Sequence, residues 1–145
     1  MKKVIILLPL VLIFFSAHYI GAQEMPITGE KFAEIKSQVI LPFLEALKNG
    51  DTKAFKQLMT KDMYETRKVL LEQNATYPAF LRKLYGDATF QVGNAMQQNG
   101  EIVVPVAITF PDGRRRNIHL RIKEDGDNYK GDIPKKSWKI SGKVR

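Results

Sequence analysis

Cysteine is absent from the 145 residues. That excludes disulfides, thiolate catalysis and Cys-ligated metals. It also excludes a lipid anchor attached at a cysteine after the apolar N-terminal run. Histidine occurs twice, at His18 and His119, and tryptophan once, at Trp138. No spacing of His, Asp and Glu suits a metal, and no glycine-rich phosphate loop, nucleophile elbow or Ser/His/Asp ordering occurs. Internal repeats, low-complexity tracts and long linkers are missing as well. No apolar run reaches the roughly 20 residues that a membrane-spanning helix needs. The longest covers 4–15, is broken only by Pro9, and gives way to His18 and Tyr19.

That run has the anatomy of a secretory signal: Lys2 and Lys3 before it, and small or polar residues after it, ending in Gly21-Ala22. Cleavage after Ala22 is expected, although Ile20 is larger than the usual residue at that position. The alternative is a retained anchor helix, for which the run is short. Residues 1–22 are thus read as a signal peptide, 23–27 as a lead-in, and 28–145 as one α+β domain, enough chain for a core. An exported chain without disulfides must be held by that core, which suits a bacterial envelope protein, periplasmic or secreted.

Lys and Arg number 23 against 15 Asp and Glu, a formal charge of +8, of which Lys2 and Lys3 would leave with the signal. The excess favours anionic partners, and it also serves plain solubility.

The domain divides into a helical half and a strand half. Thr28 is placed to cap a helix whose Phe32, Ile35, Val39, Phe43 and Leu47 share a face. Pro42 should kink or divide it, and Asn49-Gly50 should end it with a left-handed glycine. Asp51 caps a second helix over 52–60 that buries Phe55 and Leu58. A third helical stretch is predicted over 62–85, with Asp62 as its cap. Met63, Leu70, Tyr77, Leu81 and Leu84 lie on one stripe, and Pro78 begins its second piece.

After Gly86 the period falls to two. Four antiparallel strands are predicted over 89–97, 102–110, 115–123 and 136–144 in a meander, joined by Asn99-Gly100, Pro111-Asp112-Gly113 and Asp125-Gly126. Even positions from Phe90 to Val144, Met96 and Trp138 among them, should face the helices, with Asn94 the polar exception. Odd positions should form a polar, basic outer face, interrupted by Val103, Pro105 and Ala107. Pro105 also argues for a bulge or an edge.

The run Pro42-Phe43-Leu44-Glu45-Ala46-Leu47-Lys48-Asn49-Gly50-Asp51, the closing Ser137-Trp138-Lys139-Ile140 and the Asp112-Gly113 hairpin before a basic strand carry a resemblance. In them the chain resembles the nuclear transport factor 2-like superfamily, the cystatin-like cone of SnoaL-type cyclases. More narrowly, it is similar to small exported bacterial proteins of the lumazine-binding-like branch. The resemblance covers most of residues 28–145 in order of elements. It implies helices over a bent four-stranded sheet that enclose a conical pocket. The superfamily holds isomerases, dehydratases, cyclases and non-enzymatic binding domains, so the fold does not name an activity.

Pocket enzymes of that superfamily aim an Asp or His into the cone for proton transfer. Here no strand carries an inward carboxylate, and His119 falls on the outer face, so no residue is assigned to catalysis, metal or cofactor. Candidate pocket groups are Tyr64, Tyr77, Tyr85, Asn94 and Trp138; the plainer reading packs these rings in the core, each hydroxyl bound to backbone or water. On the outer face Arg115, His119, Arg121, Lys123, Lys139 and Lys143 would gather opposite the helices. Like charges across strands repel, so an anion could share that face; a solvated face screened by salt is the alternative. The absence of outward aromatics speaks against nucleic acid.

Three functional expectations follow. The first is an exported, non-enzymatic binding domain that meets a protein partner or a second copy through the open sheet face, and a membrane only during export. The second is a small-molecule pocket, with isomerase- or dehydratase-like chemistry if the cone is hollow. The third is a binder of an anionic envelope polymer.

Overall fold

The computed structural model describes residues 24–125 and 137–144. The expected signal at 1–22 and Gly126 of the third expected turn lie outside them. The described elements are α+β: helices on one face of an antiparallel sheet.

The first helical stretch falls into α1 (Gly29–Ile35) and α2 (Leu41–Asn49), joined by a wide π-turn segment, Lys36–Ile40. Pro42 accounts for the division. Its ring would collide with the carbonyl four residues back and it has no N–H to donate; the widened turn lets Leu41 N–H bond the Lys36 carbonyl instead. Thr28 stands at the N-cap position in extended conformation, but its side chain makes no cap bond. Gly50 ends α2 left-handed, at φ 63°. A Cβ there would lie 2.2 Å from the Pro78 carbonyl oxygen, so glycine lets α2 approach the start of α5 (Tyr77–Tyr85). Asp51 Oδ1 accepts from Ala54 N–H at 3.1 Å ahead of α3 (Phe55–Leu58).

The third stretch departs from expectation. Helix α4 (Lys61–Glu65) is capped by Thr60 Oγ1, which accepts from Met63 N–H at 3.4 Å; Asp62 lies inside its first turn. A second π segment, Val69–Gln73, precedes α5. A π turn holds more residues than an α turn, so the stripe slips phase: Leu71 is buried and Leu70 is exposed.

The sheet has six strands among the described residues rather than four: β1 (Met25–Ile27), β2 (Thr89–Val92), β3 (Ala95–Gln98), β4 (Glu101–Thr109), β5 (Arg115–Asp125) and β6 (Ser137–Val144). The meander β3-β4-β5-β6 is as expected. The lead-in adds β1 beside β3, and the single strand predicted over 89–97 is two, both paired with β4. Pro105 breaks it. Its missing N–H faces the same flank as its carbonyl, which accepts from Gly93 N–H at 2.8 Å. Three residues, 93–95, stand opposite two, 104 and 105, so one extra residue bulges. The bulge flips the alternation. Met96 pairs with Val103 on the outer face, while Ala95 is fully buried on the inner one.

A second bulge acts on β6. Arg121 pairs with Gly142 and Ile122 with Ile140, leaving Ser141 as the extra residue. Beyond it Lys143 stands opposite the fully buried Leu120, on the helix side. Met59 bridges to Ile140 along the outer flank of β6, and Thr60 N–H donates to the Ile140 carbonyl at 2.8 Å, so helices and sheet edge are stitched together. One core joins Val39, Phe43, Phe55 and Leu81 to Val104, Ile118, Leu120 and Ile140.

Candidate functional site

The core is not filled to its end. A partly enclosed cavity of about 120 Å³ lies between the helices and β6. Its walls are Phe43 and Leu47 from α2, Phe55 and Met59 around α3, Met63 of α4, Leu71, and Leu81 and Tyr85 from α5. Phe43 and Phe55 tilt together at 5.3 Å between ring centres. The space suits about one aromatic ring, since an engineered apolar cavity of ~150 Å³ stays dry and takes benzene.

The wall also carries polar groups, Arg67, Tyr77, Tyr85 and Lys143, with Tyr77 stacked on Phe80 at 6.0 Å. Arg67 Nη1 donates to the Met63 carbonyl at 3.4 Å and to Thr66 Oγ1 at 3.3 Å, which fixes the guanidinium. Burial pushes the Tyr77 hydroxyl above the usual tyrosine range; Tyr85 adds to the rise and Arg67 opposes it. Near neutral pH that phenol is therefore a hydrogen-bond donor, not a base. No Asp, Glu or His lines the cavity. Among the described residues no group of His, Asp and Glu is arranged to hold a metal.

Of the five pocket candidates, the structure brings Tyr77 and Tyr85 to the cavity and leaves three elsewhere. Asn94 is exposed, because the bulge that flips the alternation turns it outward. Tyr64 is buried, but its hydroxyl donates to Glu72 Oε1 at 2.5 Å beside a separate surface depression, which raises its pKa to about 12. Trp138 packs at the far end of the sheet opposite Glu124, with Lys31 Nζ 5.5 Å from its ring centre.

The basic outer face is smaller than expected. Lys143 leaves it for the cavity through the β6 bulge. Lys139 pairs with Lys123 as predicted, but its ammonium reaches over to the Gln57 carbonyl at the end of α3. Arg115, His119, Arg121 and Lys123 are exposed there. Glu101 sits among them, 3.4 Å from Arg121 Nη1 and 3.2 Å from Lys123 Nζ, and accepts from Ser141 Oγ at 2.9 Å. A half-buried strip of Val103, Pro105 and Ala107 runs along the same face.

A wider trough of about 680 Å³ lies between α2 and β2, lined by Leu41, Pro42, Phe90 and Val92. It is open to solvent, and Ser37, Glu45, Lys48 and Thr89 also line it.

Arg67 and Lys143 are the cavity residues that sequence periodicity misses. Gly142 inside a strand pattern is the signal that could have found Lys143, since glycine there marks a bulge. Nothing comparable flags Arg67, which lies in the turn between α4 and the second π segment. Comparison with protein-family models, curated proteins and solved structures found no match to this chain. No described helix is long and apolar enough to cross a membrane.

Proposed function

We propose that this protein is an exported, non-enzymatic binding domain that holds a small, mostly apolar molecule between its helices and sheet. The observation that carries the reading is the partly enclosed cavity of about 120 Å³ walled by Phe43, Phe55, Met63 and Leu81. Tight packing is the norm in protein cores, and a void lined by large side chains forfeits contacts unless something occupies it. The resemblance to the cone-shaped superfamily agrees with a pocket at that place. Isomerase- or dehydratase-like chemistry is the weaker reading, because proton transfer near neutral pH needs an acid–base group within reach, and the lining holds no Asp, Glu or His while burial raises the Tyr77 phenol. Binding of an anionic polymer across the sheet is weaker too, with Glu101 already between Arg121 and Lys123.

Toluene serves as the probe. It should raise the melting temperature in a dose-dependent way, as any ligand of the folded state does. Leu81→Phe, which fills the cavity, should fold and lose that response. A folded Leu81→Phe variant that responds to toluene as the parent does would refute the assignment. Export rests on the pattern of residues 1–22. It predicts that the protein recovered from its host begins at Gln23 by mass spectrometry; an intact Met1 would contradict it.

A further inference from the structure

We infer that β2 is the edge through which this chain pairs with a second copy of itself, strand to strand and antiparallel. The pairing goes beyond the cavity and does not depend on it. It uses the rim of the sheet beside the trough, not the open face that carries Arg121 and Lys123.

Backbone groups come first. Among the described strands β2 pairs with β4 alone. Gly93 N–H donates to the Pro105 carbonyl, so by alternation Gln91 and Thr89 also turn their N–H and C=O toward β4. Phe90 and Val92 turn theirs the other way, and no described residue bonds them. The other edges of the sheet are guarded. β1 carries Pro26, which has no N–H to offer. β6 is held by the bridge to Met59 and by the bond from Thr60 N–H to the Ile140 carbonyl. β2, Thr-Phe-Gln-Val, has neither a proline nor a charge. An unpaired edge of that kind is a template for another strand.

The register favours a second copy. Two-fold pairing centred on Gln91 sets Gln91 against its own equivalent and Phe90 against the partner's Val92. Both Phe90–Val92 pairs are then of the hydrogen-bonded kind, because these are the residues whose backbone groups face outward. Their side chains share the helix side, where Phe90 already stands opposite the fully buried Ile108. A one-residue slip would set Phe90 against Gln91, whose side chain belongs to the other face.

The rim of the trough agrees. Glu45 and Lys48 line it from α2, one turn apart, with Leu41 exposed near them. Asn49 Nδ2 donates to Glu45 Oε1 at 2.7 Å and holds that carboxylate in place. Neither charge has an ion-pair partner among the described residues. A rim that carries both signs complements itself across a two-fold axis, Glu45 meeting the partner's Lys48 and Lys48 the partner's Glu45. A peptide of one sign would satisfy one of the two and repel the other.

The test is sedimentation equilibrium on the protein as recovered from its host, over about 5 to 500 μM. It should show a monomer–dimer equilibrium in roughly the micromolar range, as small interfaces give. Val92→Pro removes an outward N–H and leaves the ladder to β4 intact, so it should weaken dimerisation at least about tenfold. Glu45→Lys should weaken it about tenfold, and adding Lys48→Glu should restore it. A cooperative melt reports that each variant is folded; if Val92→Pro does not fold, the charge exchange decides. A monomer at every concentration would overturn the inference. A dimer indifferent to both Val92→Pro and Glu45→Lys would overturn it too, by placing the interface elsewhere. Amide exchange separates the other occupants: the Phe90 and Val92 N–H groups should exchange freely in the dilute monomer and slowly in the dimer. Slow exchange at every dilution would mean that the chain covers its own edge, and free exchange at every concentration that no second copy does; either result overturns the pairing.

Discussion

Gly50 is the position where a single atom decides most. Its φ of 63° is costly for a residue with a side chain, and the Cβ would collide with the Pro78 carbonyl. Gly50→Ala should therefore lower stability by roughly 2 kcal/mol or more, measured by urea unfolding; an unchanged midpoint would mean that α2 and α5 do not approach as described. Tyr64 gives a pH signature. Its phenol donates to the Glu72 carboxylate, and its pKa rises from 10.0 to about 12 in the folded protein. A group whose folded pKa is raised contributes stability below its unfolded pKa and loses it as pH climbs through the folded value. The contribution is thus complete below about pH 10 and fades toward about pH 12. Tyr64→Phe should abolish that part of the alkaline loss of stability, and ultraviolet titration of the parent should show a late-ionising tyrosine that the variant lacks.

At the scale of elements, the two β-bulges govern where side chains point. Gly93 opposes Pro105 so closely that a Cβ would sit 2.9 Å from the proline Cγ. Gly93→Ala should cost about 1 kcal/mol, the low end for overpacking, and less in a Pro105→Ala background, a coupling that a double-mutant cycle reads directly. Equal cost in both backgrounds would contradict the contact.

The same bulges mark where the sequence stops being legible. Alternation in β4 and β5 was readable throughout: Ile102, Val104, Val106 and Ile108 are buried as expected, and so are Ile118, Leu120 and Ile122. Gly50 takes the left-handed φ expected of it, and the predicted turns at Gly100 and Gly113 place their glycines at positive φ. Parity failed after Gly93 and after Ser141, because one inserted residue reverses every later side chain and nothing in a period-two pattern records the insertion. That is why Met96, Asn94 and Lys143 were expected on the wrong faces. Helical periodicity failed for the same kind of reason at the second π segment, where Leu71 takes the place expected for Leu70. Tyr77 lies on the predicted stripe and Tyr85 is named as a pocket candidate beside it, and both reach the cavity; Arg67 belongs to no periodic face and is missed.

For the molecule as a whole, helices and sheet close on each other from two sides and leave the cavity between. α2 and α5 meet at Gly50, and Met59–Thr60 clamps the edge strand β6. The polar wall is then assembled from the turn after α4, from α5 and from β6, elements that only the complete fold brings together. Binding and global stability are therefore coupled: occupancy should stabilise the entire domain rather than one segment. The most direct measurement is an amide and methyl NMR titration of the protein with toluene. Saturable shifts should concentrate on Phe43, Leu47, Phe55, Leu81 and Tyr85, with the outer-face residues Arg115 and Lys123 silent. Shifts that gather instead on the trough around Leu41 and Phe90, or none at any toluene concentration, would contradict it.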